Sequence, residues 1–90
     1  MDSLRDVWRH FFVNWPKDME RRGVVVTSFS EQILFESFFL QEETVLLNRR
    51  APDSVGARRE VIPYGKIEAV KIVDPVQNEV FESAGFRSLA

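Results

Sequence analysis

The chain has no cysteine. That excludes disulfides and thiolate metal sites, and it is compatible with a reducing compartment. Its single histidine, His10, excludes a histidine-cluster metal site. No apolar run approaches the roughly 18 residues of a membrane span. The first residues, Met-Asp-Ser, are not a basic stretch followed by an apolar one. No signal peptide is therefore expected, and cytoplasm is the default location. The net charge is −2, so no global basic field attracts nucleic acid. His10 has no Ser, Cys or Asp arrangement around it that marks a nucleophile, and no phosphate-binding loop is visible. The expectation is a protein that is not an enzyme and has no cofactor.

What the chain does have is large apolar side chains. Eight Phe and two Trp fall within 90 residues, a length that suits one domain. A chain of this size buries only about 60–65% of its extended surface, so a single copy has a marginal core. Oligomerisation is one way to add to it.

Residues 3–14 follow helical spacing, with Leu4, Val7, Trp8, Phe11, Phe12 and Trp15 on one stripe. Ser3 followed by Asp6 resembles a capping box, and Pro16 disfavours helical geometry at Trp15. Pro16 can open a second short turn through Arg22, closed by Gly23. The aromatic stripe reads as helix packing over an open end of the remaining fold. His10 reads as an exposed helix residue, and Arg21-Arg22 as cations complementing the negative end of a helix dipole.

The period then changes to that of strands. Five segments follow: Val24–Phe29, Gln32–Gln41, Thr44–Arg50, Arg58–Pro63 and Lys66–Val73. Gln32–Gln41 is apolar on both faces, with Ile33, Phe35 and Phe39 on one and Leu34, Phe38 and Leu40 on the other. Such a strand bends and contributes to two layers. Residues 51–57 are turn-rich, and Pro63-Tyr64-Gly65 makes a sharp corner. Beyond Asp74-Pro75 the tail fits either a short helix ended by Gly85 or an extended segment. The expected organisation is one domain over 1–90, with helix at 3–22, strands at 24–74 and an extension at 75–90.

Arg49-Arg50 and Arg58-Arg59 bracket the loop 51–57. If the flanking strands form a hairpin, all four guanidinium groups cluster at one end. Arginine forks suit phosphate, so the cluster fits phosphate-backbone or anionic-ligand contact. The plain alternative is charged strand ends that deter aggregation. Glu42-Glu43 reads as a solvated turn.

Strand order and apolar positions over residues 3–73 resemble the Sm-like fold, and the bacterial Hfq branch in particular, which also places its helix first. Phe29–Arg49 lies along the family's first motif. Thr44-Val45-Leu46-Leu47 is similar to its aliphatic third strand, and Ile62-Pro63-Tyr64-Gly65-Lys66-Ile67 falls where its second motif lies. The chain departs from the family at Phe35, where a glycine is usual, and at Gln41, where an aspartate is usual. Tyr64-Gly65-Lys66 replaces the Lys-His pair that contacts uridine-rich RNA.

The resemblance implies a mostly β fold with an N-terminal α-helix, its bent five-stranded antiparallel sheet closing into a small SH3-like barrel. It implies a homo-oligomeric ring in which the fourth strand of one copy pairs with the fifth of the next. It also places Tyr64 and Lys66 at the family's nucleotide pocket. There Tyr64 either stacks on a base or plugs the barrel end, and Lys66 meets a phosphate. The expected function is a ring-forming module that binds RNA or another anionic ligand through Tyr64, Lys66, Arg49, Arg50, Arg58 and Arg59. The rival is a structural or protein-interaction module that presents Phe81, Phe86 and the helix to a protein partner.

Overall fold

The structure, a computed structural model, describes residues 3–89. It is mostly β, with one helix before the strands and one after them. Helix α1 (Leu4–Val13) starts where Ser3 Oγ accepts the Asp6 amide at 3.2 Å, satisfying one orphan N–H of the first turn. Asn14 ends it, two residues before Pro16. The expected continuation to Arg22 is only a turn, in which the Met19 amide donates to Pro16 O at 3.2 Å. No helix dipole therefore ends at Arg21-Arg22. Arg21 instead lies 5.7 Å from the Phe38 ring centre, and Arg22 pairs with Asp74 at 2.7 Å.

Gly23 is not a helix cap. It opens strand β1 (Gly23–Thr27) opposite Phe35 of β2 (Gln32–Phe35). A Cβ there would sit 2.5 Å from Lys71 O on β6 (Ile67–Lys71), so only glycine lets the strands approach this closely. These three strands form one antiparallel sheet in the order β2-β1-β6. The second sheet has the order β3-β4-β5, built from β3 (Ser37–Leu40), β4 (Thr44–Asn48) and β5 (Arg59–Pro63).

The segment 32–41 does serve both layers, but as two strands broken at Glu36, so the described residues form six strands rather than five. The break also shifts which residues face inward. Ile33 and Phe35 are buried in the first sheet; in the second the buried residue is Phe38, while Phe39 is 64% exposed. The strict alternation expected along Gln32–Gln41 fails there, because Glu36 adopts a bend between the two strands. The sheets do not close into a barrel. β5 and β6 are joined by a single 3-10 turn (Tyr64–Lys66), yet they are not paired, and both remain sheet edges.

Between the layers lie Val25, Ile33, Val45, Leu47, Ile62 and Ile67, all buried. An aromatic group closes one end. Phe12 of α1 stacks on Trp15 at 5.7 Å and meets the Phe38 ring edge-on at 5.0 Å. Such offset and edge contacts match the ring quadrupoles and add to area burial. After Asp74, α2 (Asn78–Ser83) is the short helix that the tail pattern allowed, followed by Gly85 at φ 100°.

Candidate functional site

At the β4–β5 end, Arg49 and Arg50 have different neighbours. β4 and β5 pair in register, Asn48 opposite Arg59, and the Arg49 amide donates to Arg58 O at 2.9 Å, so the backbone does bring both pairs to one end. Arg49 donates through Nε to Ala51 O at 3.3 Å and faces Asp53 and Glu60. Arg50 lines a cleft of about 360 Å3 that it shares with Arg22, Glu36 and Asp74. Arg59, beside Asn48 on the outer face of its sheet, is exposed, as is Arg58. Alternating acids and bases around Arg49 and Arg50 offset much of the local charge. The loop between them is held by Asp53, whose Oδ1 accepts the amides of Val55 at 2.9 Å and Ala57 at 2.8 Å. Those bonds hold its carboxyl below the usual carboxylate range.

At the corner after β5, Tyr64 is fully buried. Its hydroxyl donates to Gln41 O at 2.9 Å and its ring centre lies 6.4 Å from that of Phe12. Burial pushes the hydroxyl up from its ordinary value. With no exposed ring face, Tyr64 plugs the core and offers nothing for a base to stack on. Lys66, two residues on, is exposed, and its carbonyl accepts the Ser28 amide at 2.8 Å. Buried Tyr64 and exposed Lys66 therefore form no common pocket.

Two further features stand out: the first is built from the helix, Phe81 and Phe86, already read as a partner-facing surface, and the second went unread in the sequence. One is an apolar groove of about 520 Å3 between α1 and the C-terminal segment. Val7, Trp8 and Phe11 form one wall, and Ile72, Phe81 and Phe86 another, with His10 and Asn14 at the rim. Phe81 and Phe86 meet edge-on at 6.3 Å, and the Phe86 amide donates to Phe81 O at 3.1 Å, which fixes that wall. The second is Glu60. In β5 it stands opposite buried Leu47, two positions before buried Ile62, so it shares their inward face. The same alternation in Arg59–Pro63 was the signal that could have found it.

Glu42 and Glu43 are exposed, as expected of a solvated turn, and they also pair with α1: Arg5 Nη1 lies 2.7 Å from Glu43 and Arg9 Nη2 lies 3.4 Å from Glu42. Among the described residues no group of three or more His, Asp or Glu side chains could hold a metal ion, and no helix is long and apolar enough to cross a membrane. No family model matches this chain, and neither does any curated protein or solved structure.

Proposed function

We propose that this chain is a non-catalytic, Sm-like self-assembling module whose copies join edge to edge into a ring. The observation that carries the reading is the pair of unpaired strand edges, β5 and β6, on either side of one 3-10 turn. Edge strands present rows of free N–H and C=O groups that template pairing with another chain. When the β5 edge of one copy pairs with the β6 edge of the next, both edges are used and the same contact repeats around a closed ring. The strand sequence supports this, since one broken segment feeds both sheets, as in a bent small barrel.

The surface beside the β5 edge also supports it. Val61 is 57% exposed, Leu46 stands opposite it, and Phe39 stands opposite Leu46. These three form an apolar row across the outer face of the sheet, next to the edge where a second copy would pair.

Light scattering coupled to gel filtration at two concentrations tests the reading. A stable mass of about five to eight subunits is expected. Val61→Lys, which places a charge on the exposed side of the edge strand, should reduce that mass to the monomer without unfolding the chain. A monomer or dimer for the unaltered chain at both concentrations sinks the proposal.

A second reading, contact with RNA or another anionic ligand, is favoured by Arg50, Arg58 and Arg59, which are exposed and form no ion pair within 4 Å among the described residues. Replacing Arg49, Arg50, Arg58 and Arg59 together with Ala should weaken binding of a single-stranded RNA and flatten its salt dependence. Unchanged affinity removes the arginines from that role.

A further inference from the structure

The apolar groove beside α1 does not end at its rim. A second cleft, of about 450 Å3, adjoins it at His10, Asn14 and Ala84, which line both. The two halves differ in chemistry. Val7, Trp8, Phe11 and Phe81 are among the walls of the first. Of these, Trp8, Phe11 and Phe81 pack against the core, so the fold itself fixes the trough. The second cleft adds Lys17 and Ser83. Together they make a trough that is apolar along most of its length and polar at one end.

The polar end suits an anion. Asn14 Nδ2 lies 3.3 Å from His10 Nδ1 and donates to His10 O at 2.9 Å. An amide nitrogen can only donate, so Nδ1 accepts and Nε2 carries the ring hydrogen as a donor. Lys17 is exposed and forms no ion pair within 4 Å among the described residues. Asp18 and Glu20 share a different cleft with Lys17. Among the described residues, no Asp or Glu lines the groove or its polar mouth. The local charge therefore complements a carboxylate.

The apolar half selects the rest of the ligand. Its volume of about 520 Å3 falls within the range of about 300–1,000 Å3 usual for small-molecule sites. An extended peptide laid there would bury N–H and C=O groups against apolar side chains, and each unpaired group is costly. An unbranched hydrocarbon has no such groups. From Val7 to Asn14 the helix rises about 10 Å, which accommodates a medium-length chain.

We propose that this trough binds a medium-chain fatty acid. Its hydrocarbon lies between α1 and the C-terminal segment, and its carboxylate meets His10 Nε2 and Lys17 Nζ. The site is built within one copy, so it stands whether or not copies form a ring.

Isothermal titration calorimetry of the full chain with decanoate, kept below its micelle concentration, tests the assignment. One decanoate per chain is expected. Affinity should fall about fourfold for each CH2 removed, through octanoate to hexanoate. Lys17→Glu should weaken decanoate about tenfold and leave decanol unchanged. Ala84→Trp fills the junction of the two clefts from an exposed position, so it should abolish binding and keep the melting temperature. No heat of binding with the unaltered chain overturns the proposal. So does an affinity that ignores chain length or survives Ala84→Trp. Equal decanoate affinity in Lys17→Glu overturns the placement of the carboxylate. The mass on gel filtration should not change with decanoate; a fall would mean that a second copy occupies the groove, and would also overturn the assignment.

Discussion

Arg22 and Asp74 bind each other across 52 residues of chain, with Nε to Oδ2 at 2.9 Å and Nη2 to Oδ1 at 2.7 Å. Arg22 immediately precedes β1, and Asp74 lies three residues beyond β6. The two-pronged contact therefore fastens the way into one strand to the way out of its neighbour. Arginine's planar fork suits this geometry better than a lysine would.

The pair makes a pH prediction. The guanidinium holds the Asp74 carboxyl below its ordinary value of 3.8. A depressed carboxylate stabilises above its unfolded value, and that support is lost as pH falls through the folded value. Asp74→Asn should lower the melting temperature at a pH of about 7 and lower it less at a pH of about 2. An equal loss at both values means that packing, not charge, sets the effect.

Phe12 and Phe39 should answer differently to truncation. Phe12 is 1% exposed and touches five other aromatic rings, so Phe12→Ala should cost about 3–5 kcal/mol in urea unfolding. Phe39 is 64% exposed, so Phe39→Ser should change monomer stability by less than about 0.5 kcal/mol. The same Phe39 change should weaken self-association, read as a lower mass on dilution. A large stability loss at Phe39 would show that its ring is covered within one copy.

Gly23→Ala tests the close approach of β1 and β6. The added methyl would meet the Lys71 carbonyl at 2.5 Å, and backbone cannot swing aside as a side-chain tip can. The expected cost is about 1–3 kcal/mol, with slowest-exchanging amides of β6 losing protection first. Unaltered stability would mean that the strands separate freely here.

Tyr64→Phe removes one hydrogen bond, to Gln41 O, and keeps the buried ring. It should cost about 1 kcal/mol in stability and leave any affinity for RNA where it was. Loss of RNA affinity without loss of stability would return Tyr64 to a surface role.

Several features were legible in the residues alone because they depend on local chemistry. Ser3 caps α1, and the positions of the apolar stripe place Phe12 and Trp15 against the core. The strand segments fall close to their expected limits, as β-branched and aromatic runs bounded by turn residues. The double-sided segment 32–41 does serve two layers. Glu36 was unreadable as the break, because a polar residue in a strand is ordinary and only the second sheet's position demands a bend there. The candidate site was less legible. Adjacent arginines at a strand end point to opposite sides, so Arg49 and Arg50 reach different neighbours even though the backbone brings both pairs together. Tyr64 follows a proline at a corner, a place that suits exposure as well as burial; the aromatic group around Phe12 decides for burial.

The sequence by itself determined the helix-then-strands order, the absence of thiolate chemistry and the apolar surplus. Those follow from residue type and spacing, which act over a few residues at a time. Tertiary structure decided everything that needs two distant segments to meet: Gly23 against Lys71, Arg22 against Asp74, and the Tyr64 hydroxyl on Gln41 O. It also decided that β5 and β6 stay unpaired. Each of these depends on where the bend at Glu36 and the turn at Tyr64–Lys66 aim the two sheets, and a change of aim there moves every contact between them.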